Sequence, residues 1–94
     1  MMVDVYEALT ARAEQWYGYA MDDVLFLVGM CASEDETREA IKKGWMRARK
    51  ELAFECDLYR IRKAQTKKLL KDIDRKYTEL GSRVTRLYKG SLDD

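Results

Sequence analysis

LYRIRKAQTKKLLK, Leu58 to Lys71, carries six Lys or Arg residues and no acid in fourteen positions, and it lies where the apolar spacing of the chain changes. Whether a helix that enters this stretch also leaves it decides the fold. It contains neither Gly nor Pro, so nothing in it stops a helix arriving from upstream. Apolar residues reach it as Ile41, Trp45, Ala48, Leu52, Cys56 and Tyr59, one face of a helix. They leave it as Leu70, Ile73, Tyr77, Leu80, Val84 and Leu87, in alternating steps of three and four. With Cys56, Tyr59, Lys63 and Thr66 this run makes a coiled-coil seam, preceded by a stutter from Leu52 to Cys56.

Read as continuous, this helix starts at SEDE, Ser33 to Glu36. Ser33 is a cap, Glu36 stands three residues on, and three acids sit at the positive end of the helix dipole. It runs to about Leu80, and Gly81 with Ser82 sets off a short C-terminal helical segment over about 82–89. Gly44 is a second candidate for a break, but no linker follows it. Acid-to-base pairs four residues apart, Glu39 with Lys43, Asp72 with Lys76 and Glu79 with Arg83, favour the helix by about 0.2 to 0.5 kcal/mol each.

Working back toward the N-terminus, DVYE, Asp4 to Glu7, has capping-box spacing. Val5, Leu9, Ala13, Trp16, Ala20, Val24, Leu27 and Cys31 then recur in helical steps. The first helix therefore spans about 5–31. The short connection at Ala32 to Ser33 makes the two helices antiparallel neighbours. The expected fold is all-α: an antiparallel two-helix hairpin whose long second helix extends as a coiled-coil-competent arm, in a single domain over residues 1–94.

Charge follows the same division. Met1 to Glu36 holds eight acids and one base, and Thr37 to Asp94 holds seventeen bases and nine acids, so a net charge of +1 conceals an acidic half and a basic half. Folded back, the acidic helix is expected to face the basic flank of the second. Helix 1 is too short to cover the arm beyond about Arg62, and six large side chains do not stay exposed in a soluble protein. Leu70, Ile73, Tyr77, Leu80, Val84 and Leu87 are accordingly the expected partner interface. A second copy or a helical heteromeric partner would supply the cover.

Two other surfaces stand out. Arg60, Lys63, Lys67 and Lys71 fall on one side of the helix, a basic patch that could reach several phosphates or an acidic protein. Trp16, Tyr17 and Tyr19 form an aromatic patch able to anchor a partner. A helix-turn-helix reading of GMCASEDETREA fails, because Glu34, Asp35 and Glu36 would open the recognition helix against phosphates.

With no His in the chain, the commonest catalytic base is absent. No Gly-rich phosphate loop, metal-loop carboxylate spacing or CxxC pair occurs. No cofactor or metal is expected. Cys31 and Cys56 read as packed thiols or as a disulfide between facing helices. The run VLFLVGMCA, Val24 to Ala32, is too short to span a bilayer and is preceded by Asp22 and Asp23, where a signal peptide needs positive charge. A cytoplasmic protein is expected. The expected role is a non-enzymatic protein-protein interaction module, acting as assembly factor, chaperone, adaptor or small inhibitor, with nucleic-acid association through the basic patch as the alternative.

Overall fold

A computed structural model describes residues 4–93 of the 94-residue chain. The described residues are all helical outside the turns, with no strand. They form α1 (Val5–Gly29), α2 (Glu34–Leu58) and α3 (Lys63–Asp93).

Helix starts follow local chemistry. Asp4 accepts the Tyr6 backbone N–H at 3.0 Å. At α2 the Ser33 hydroxyl oxygen accepts the Glu36 N–H at 3.1 Å and donates to the Glu36 carboxylate at 3.1 Å, with Glu34, Asp35 and Glu36 in the first turn. Neither Gly44 nor Gly81 breaks its helix.

Helix ends follow one backbone device used twice. After α1, the Ala32 N–H donates to Leu27 at 3.0 Å and the Cys31 N–H to Val28 at 3.1 Å, while Cys31 takes φ 60. After α2, the Ile61 N–H donates to Cys56 at 2.9 Å and the Arg60 N–H to Asp57 at 3.1 Å, with Arg60 at φ 53. Both are Schellman motifs whose left-handed position, usually Gly, holds a residue with a side chain.

The long second helix expected from the sequence is therefore two helices. The chain turns at residues 59–62, inside the basic stretch, and the expected short segment at 82–89 is the later part of α3. The energetics explain why. A straight helix would leave Leu69, Ile73, Tyr77, Leu80 and Val84 without cover, and burying each contributes about 1.5 to 3 kcal/mol. Forcing Arg60 into the left-handed region costs only about 1 to 2 kcal/mol. Folding back wins, and all five side chains are buried.

Cross-helix pairs fix the directions. Arg12 on α1 meets Glu55 on α2 at 2.6 Å while Trp16 to Val24 lie across from Ala40 to Arg47, and on α3 Asp74 bonds Arg49 whereas Tyr88 lies 2.8 Å from Thr37, so consecutive helices run antiparallel. Glu14 on α1 and Lys76 on α3 lie 3.8 Å apart, and α1 and α3 run parallel. The core is one cluster: Leu9, Ala13, Ala20 and Val24 from α1, Ile41, Ala48, Leu52 and Cys56 from α2, and the five α3 residues above. At the α1–α2 turn, Tyr88 of α3 donates to the Ala32 carbonyl at 2.7 Å and lies 2.8 Å from the hydroxyl of fully buried Thr37. That contact ties the third helix to the first turn.

Two substitutions test this account by urea denaturation. Arg60→Gly relieves the left-handed side chain at a modest cost in backbone entropy and is expected to stabilise the protein by about 0.5 to 1 kcal/mol. Leu80→Ala is expected to cost about 2 to 5 kcal/mol, because its side chain is fully buried within this chain. An unchanged midpoint for Leu80→Ala would contradict the packing.

Candidate interaction surfaces

The six seam residues do not form an open face. Ile73, Tyr77, Leu80 and Val84 are committed to the chain's own core, Leu70 is half-buried, and Leu87 is exposed. Once the helix restarts at Lys63, its buried stripe runs through Leu69 instead of Leu70. The inside positions are set by contact with α1 and α2, and the heptad count carried through the turn does not apply. Lys63 is exposed and Thr66 half-buried, so neither is a polar seam residue.

The structure divides the expected basic patch. Arg60 is the left-handed turn residue and Lys63 opens α3, both exposed. Lys67 and Lys71 instead line a groove between α2 and α3, together with Lys68, Arg49, half-buried Leu70 and Asp74. The Arg49 guanidinium donates to both Asp74 carboxylate oxygens, at 3.0 and 2.8 Å, and the Trp45 indole N–H donates to the same carboxylate. This leaves the three lysines as the groove's positive edge. Arg49 was not legible as a member of the patch, since it comes from the other helix and joins only through the fold-back.

The aromatic patch is divided as well. Tyr17 turns toward α3, where its ring meets Tyr77 edge-on at 6.4 Å. Trp16 and Tyr19 meet edge-on, also at 6.4 Å, on the side facing α2, and the Arg47 guanidinium lies 5.8 Å from the Trp16 ring centroid. Together they line a notch of about 120 Å³ between α1 and α2. Ala20, Ala40 and Gly44 also line it, and their small size keeps the space open; Asp23, Val24, Ile41 and Tyr77 complete it. The Trp16 indole N–H is buried and has no hydrogen-bond partner among the described residues. Such a group costs free energy unless an acceptor reaches it. Trp16 and Tyr19 were visible in sequence; Arg47 and the three small residues stand on either helix with no shared local signal.

Charge pairing across α1 and α2 runs opposite to the expectation from the acidic and basic halves: the base Arg12 is on α1 and the acid Glu55 on α2. Lys76 meets Glu14, and Glu79 meets Arg75 at 3.6 Å in place of Arg83. Exposed pairs of this kind contribute roughly 0 to 1 kcal/mol and do not decide the packing.

Cys31 is free and exposed in the first turn; Cys56 is free and buried near the far end of α2. About two dozen helical residues at 1.5 Å each separate them, which removes the alternative of a disulfide between facing helices, and of the two thiols only that of Cys56 is packed in the core. Among the described residues no cluster of His, Cys, Asp or Glu could hold a metal ion, and no helix is long and apolar enough to cross a membrane. No protein-family model, curated protein or solved structure matches this chain.

Tyr77 connects the notch to the core. Its hydroxyl donates to the Trp16 carbonyl at 3.3 Å, and burial, followed by the nearby Asp23 carboxylate, pushes its phenol above the ordinary value of 10.0. Below pH 10 the phenol is protonated in both folded and unfolded chains and adds no pH dependence. Above it the unfolded chain releases the proton first, so stability falls as pH rises toward the higher folded value. Urea midpoints measured on either side of pH 10 are expected to drop less in Tyr77→Phe than in the wild type. Equal alkaline losses would exclude Tyr77 as their source.

Proposed function

We propose that this protein is a non-enzymatic protein-protein interaction module whose binding site is the notch between α1 and α2. The observation that carries this reading is a small opening between α1 and α2 lined by Trp16, Tyr19, Arg47 and Tyr77, where Ala20, Ala40 and Gly44 leave room for a side chain. Trp, Tyr and Arg are the residue types that dominate binding energy at protein interfaces, above all where they surround a small pocket that can be fully dried.

The occupant is a protein segment that places one apolar or aromatic side chain in the notch. Asp23 and Arg47 at opposite signs favour a polar, hydrogen-bonding backbone around that anchor over a uniformly charged one. The apolar side chains Val5, Phe54, Leu58 and Tyr59 are also exposed near the other ends of α1 and α2, and offer further area to such a segment. The role is that of an adaptor, chaperone or assembly factor, in which binding is the activity.

A displayed peptide library selected on the full chain tests the site. Enriched peptides are expected to share a large apolar anchor, and to lose at least about tenfold in affinity on Ala40→Leu, which fills the notch from α2. A circular dichroism melt matching the wild type establishes that Ala40→Leu still folds. Failure to enrich any peptide, or equal binding to both proteins, would overturn the reading.

A further inference from the structure

The α1–α2 turn forms an acidic, apolar-tipped knob. Phe26 and Met30, 66% and 67% exposed, lie four residues apart at the end of α1, on one side of the helix. Asp22 and Asp23 precede Phe26 by four and three residues, and both are exposed. Glu34, Asp35 and Glu36 follow immediately as the first turn of α2. Two large apolar side chains thus share the α1–α2 turn end of the molecule with five acids, of which Glu34 is paired with Arg38 at 3.7 Å.

The groove between α2 and α3 has the opposite character. Lys67, Lys68 and Lys71 edge it, Leu70 supplies an apolar surface, and Arg49 offsets Asp74. The groove includes the start of α3, whose first turn carries no acid, so the positive end of that helix dipole is not offset by its own sequence. The two features are opposite in sign, and each has an apolar centre.

They cannot meet within one molecule. Glu34 and Arg49 are fifteen residues apart along α2, about 22 Å at 1.5 Å per residue, and the lysines lie farther toward the α2–α3 turn. We propose that the knob of one copy docks into the groove of a second copy, giving head-to-tail self-association. Such an interface joins two different patches, so each added copy leaves one knob and one groove free, and chains grow beyond the dimer. The net charge of +1 places little overall repulsion between copies. Opposite patches on an almost neutral molecule favour an oriented contact that weakens as salt screens it.

A nucleic acid suits the groove less well. Asp74 is among its lining residues, Leu70 contacts no phosphate, and the lining has no aromatic side chain on which a base could stack. The knob shares Asp23 with the notch, but Asp22, Asp35 and the groove lysines lie outside the notch lining, so variants at those positions test the docking separately from the reading above.

Sedimentation of the full chain over a range of concentrations, at low and high salt, tests the proposal with two charge-reversed variants. Lys67→Glu with Lys71→Glu reverses the groove, and Asp22→Lys with Asp35→Lys reverses the knob. Wild-type mass is expected to rise with concentration at low salt and fall back at high salt. Each variant alone is expected to associate at least about tenfold more weakly, since like charges now meet. An equal mixture of the two variants is expected to regain growth in mass, because each reversed patch then finds its complement. That recovery also shows that both variants fold. A wild type that stays monomeric at every concentration would overturn the proposal. So would a mixture that fails to recover, or a wild-type monomer carrying absorbance at 260 nm that high salt removes and that the groove variant lacks.

Discussion

The apolar stripe Leu69, Ile73, Tyr77, Leu80 and Val84 needs cover, and the rest of the structure is arranged around supplying it. Among the described residues, the two helices that precede it supply that cover. Covering the stripe requires the backbone to reverse after Leu58, where neither Gly nor Pro assists. Arg60 therefore adopts a left-handed conformation that a side chain resists, and the Schellman hydrogen bonds to Cys56 and Asp57 hold it there. The local strain is small beside the area buried, which is why a helix-favouring sequence gives way to a turn.

Reversal at that point sets which surfaces exist. Bringing α3 against α2 places Arg49 beside Asp74, and the lysines at the start of α3 become the edge of a groove. Bringing α1 against α2 sets Trp16 and Tyr19 opposite Ala40 and Gly44, where small residues leave a notch. Tyr88 then closes the arrangement by bonding the first turn from the third helix. The basic groove and the acidic turn consequently lie toward opposite ends of the molecule, giving it a charge asymmetry along its length that the net charge of +1 conceals.

The surface chemistry has a common feature: apolar groups are placed beside charged side chains. Phe26 and Met30 follow Asp22 and Asp23 on α1, Leu70 lies among lysines, and the notch is lined by Arg47 and Asp23. Apolar area supplies affinity in such arrangements, while the charges orient the contact and reject mismatched partners.

The sequence by itself determined that the chain is all-helical, where α1 and α2 begin, and that the C-terminal stripe must be covered. Caps, dipole charges and apolar periodicity act over a few residues, so they are written in contiguous letters. Tertiary structure alone decided what does the covering and where the chain turns. Tyr59 to Arg62 has helix-compatible residues throughout, and only the gain from packing α3 on α1 and α2 makes its reversal favourable. The same holds for the surfaces: Lys67 and Lys71 were visible as charges on one helix, but their partners Arg49 and Asp74 come together only after the turn. Trp16 was visible as an aromatic residue, whereas its unpartnered N–H and the small residues opposite depend on contacts between residues far apart in the chain.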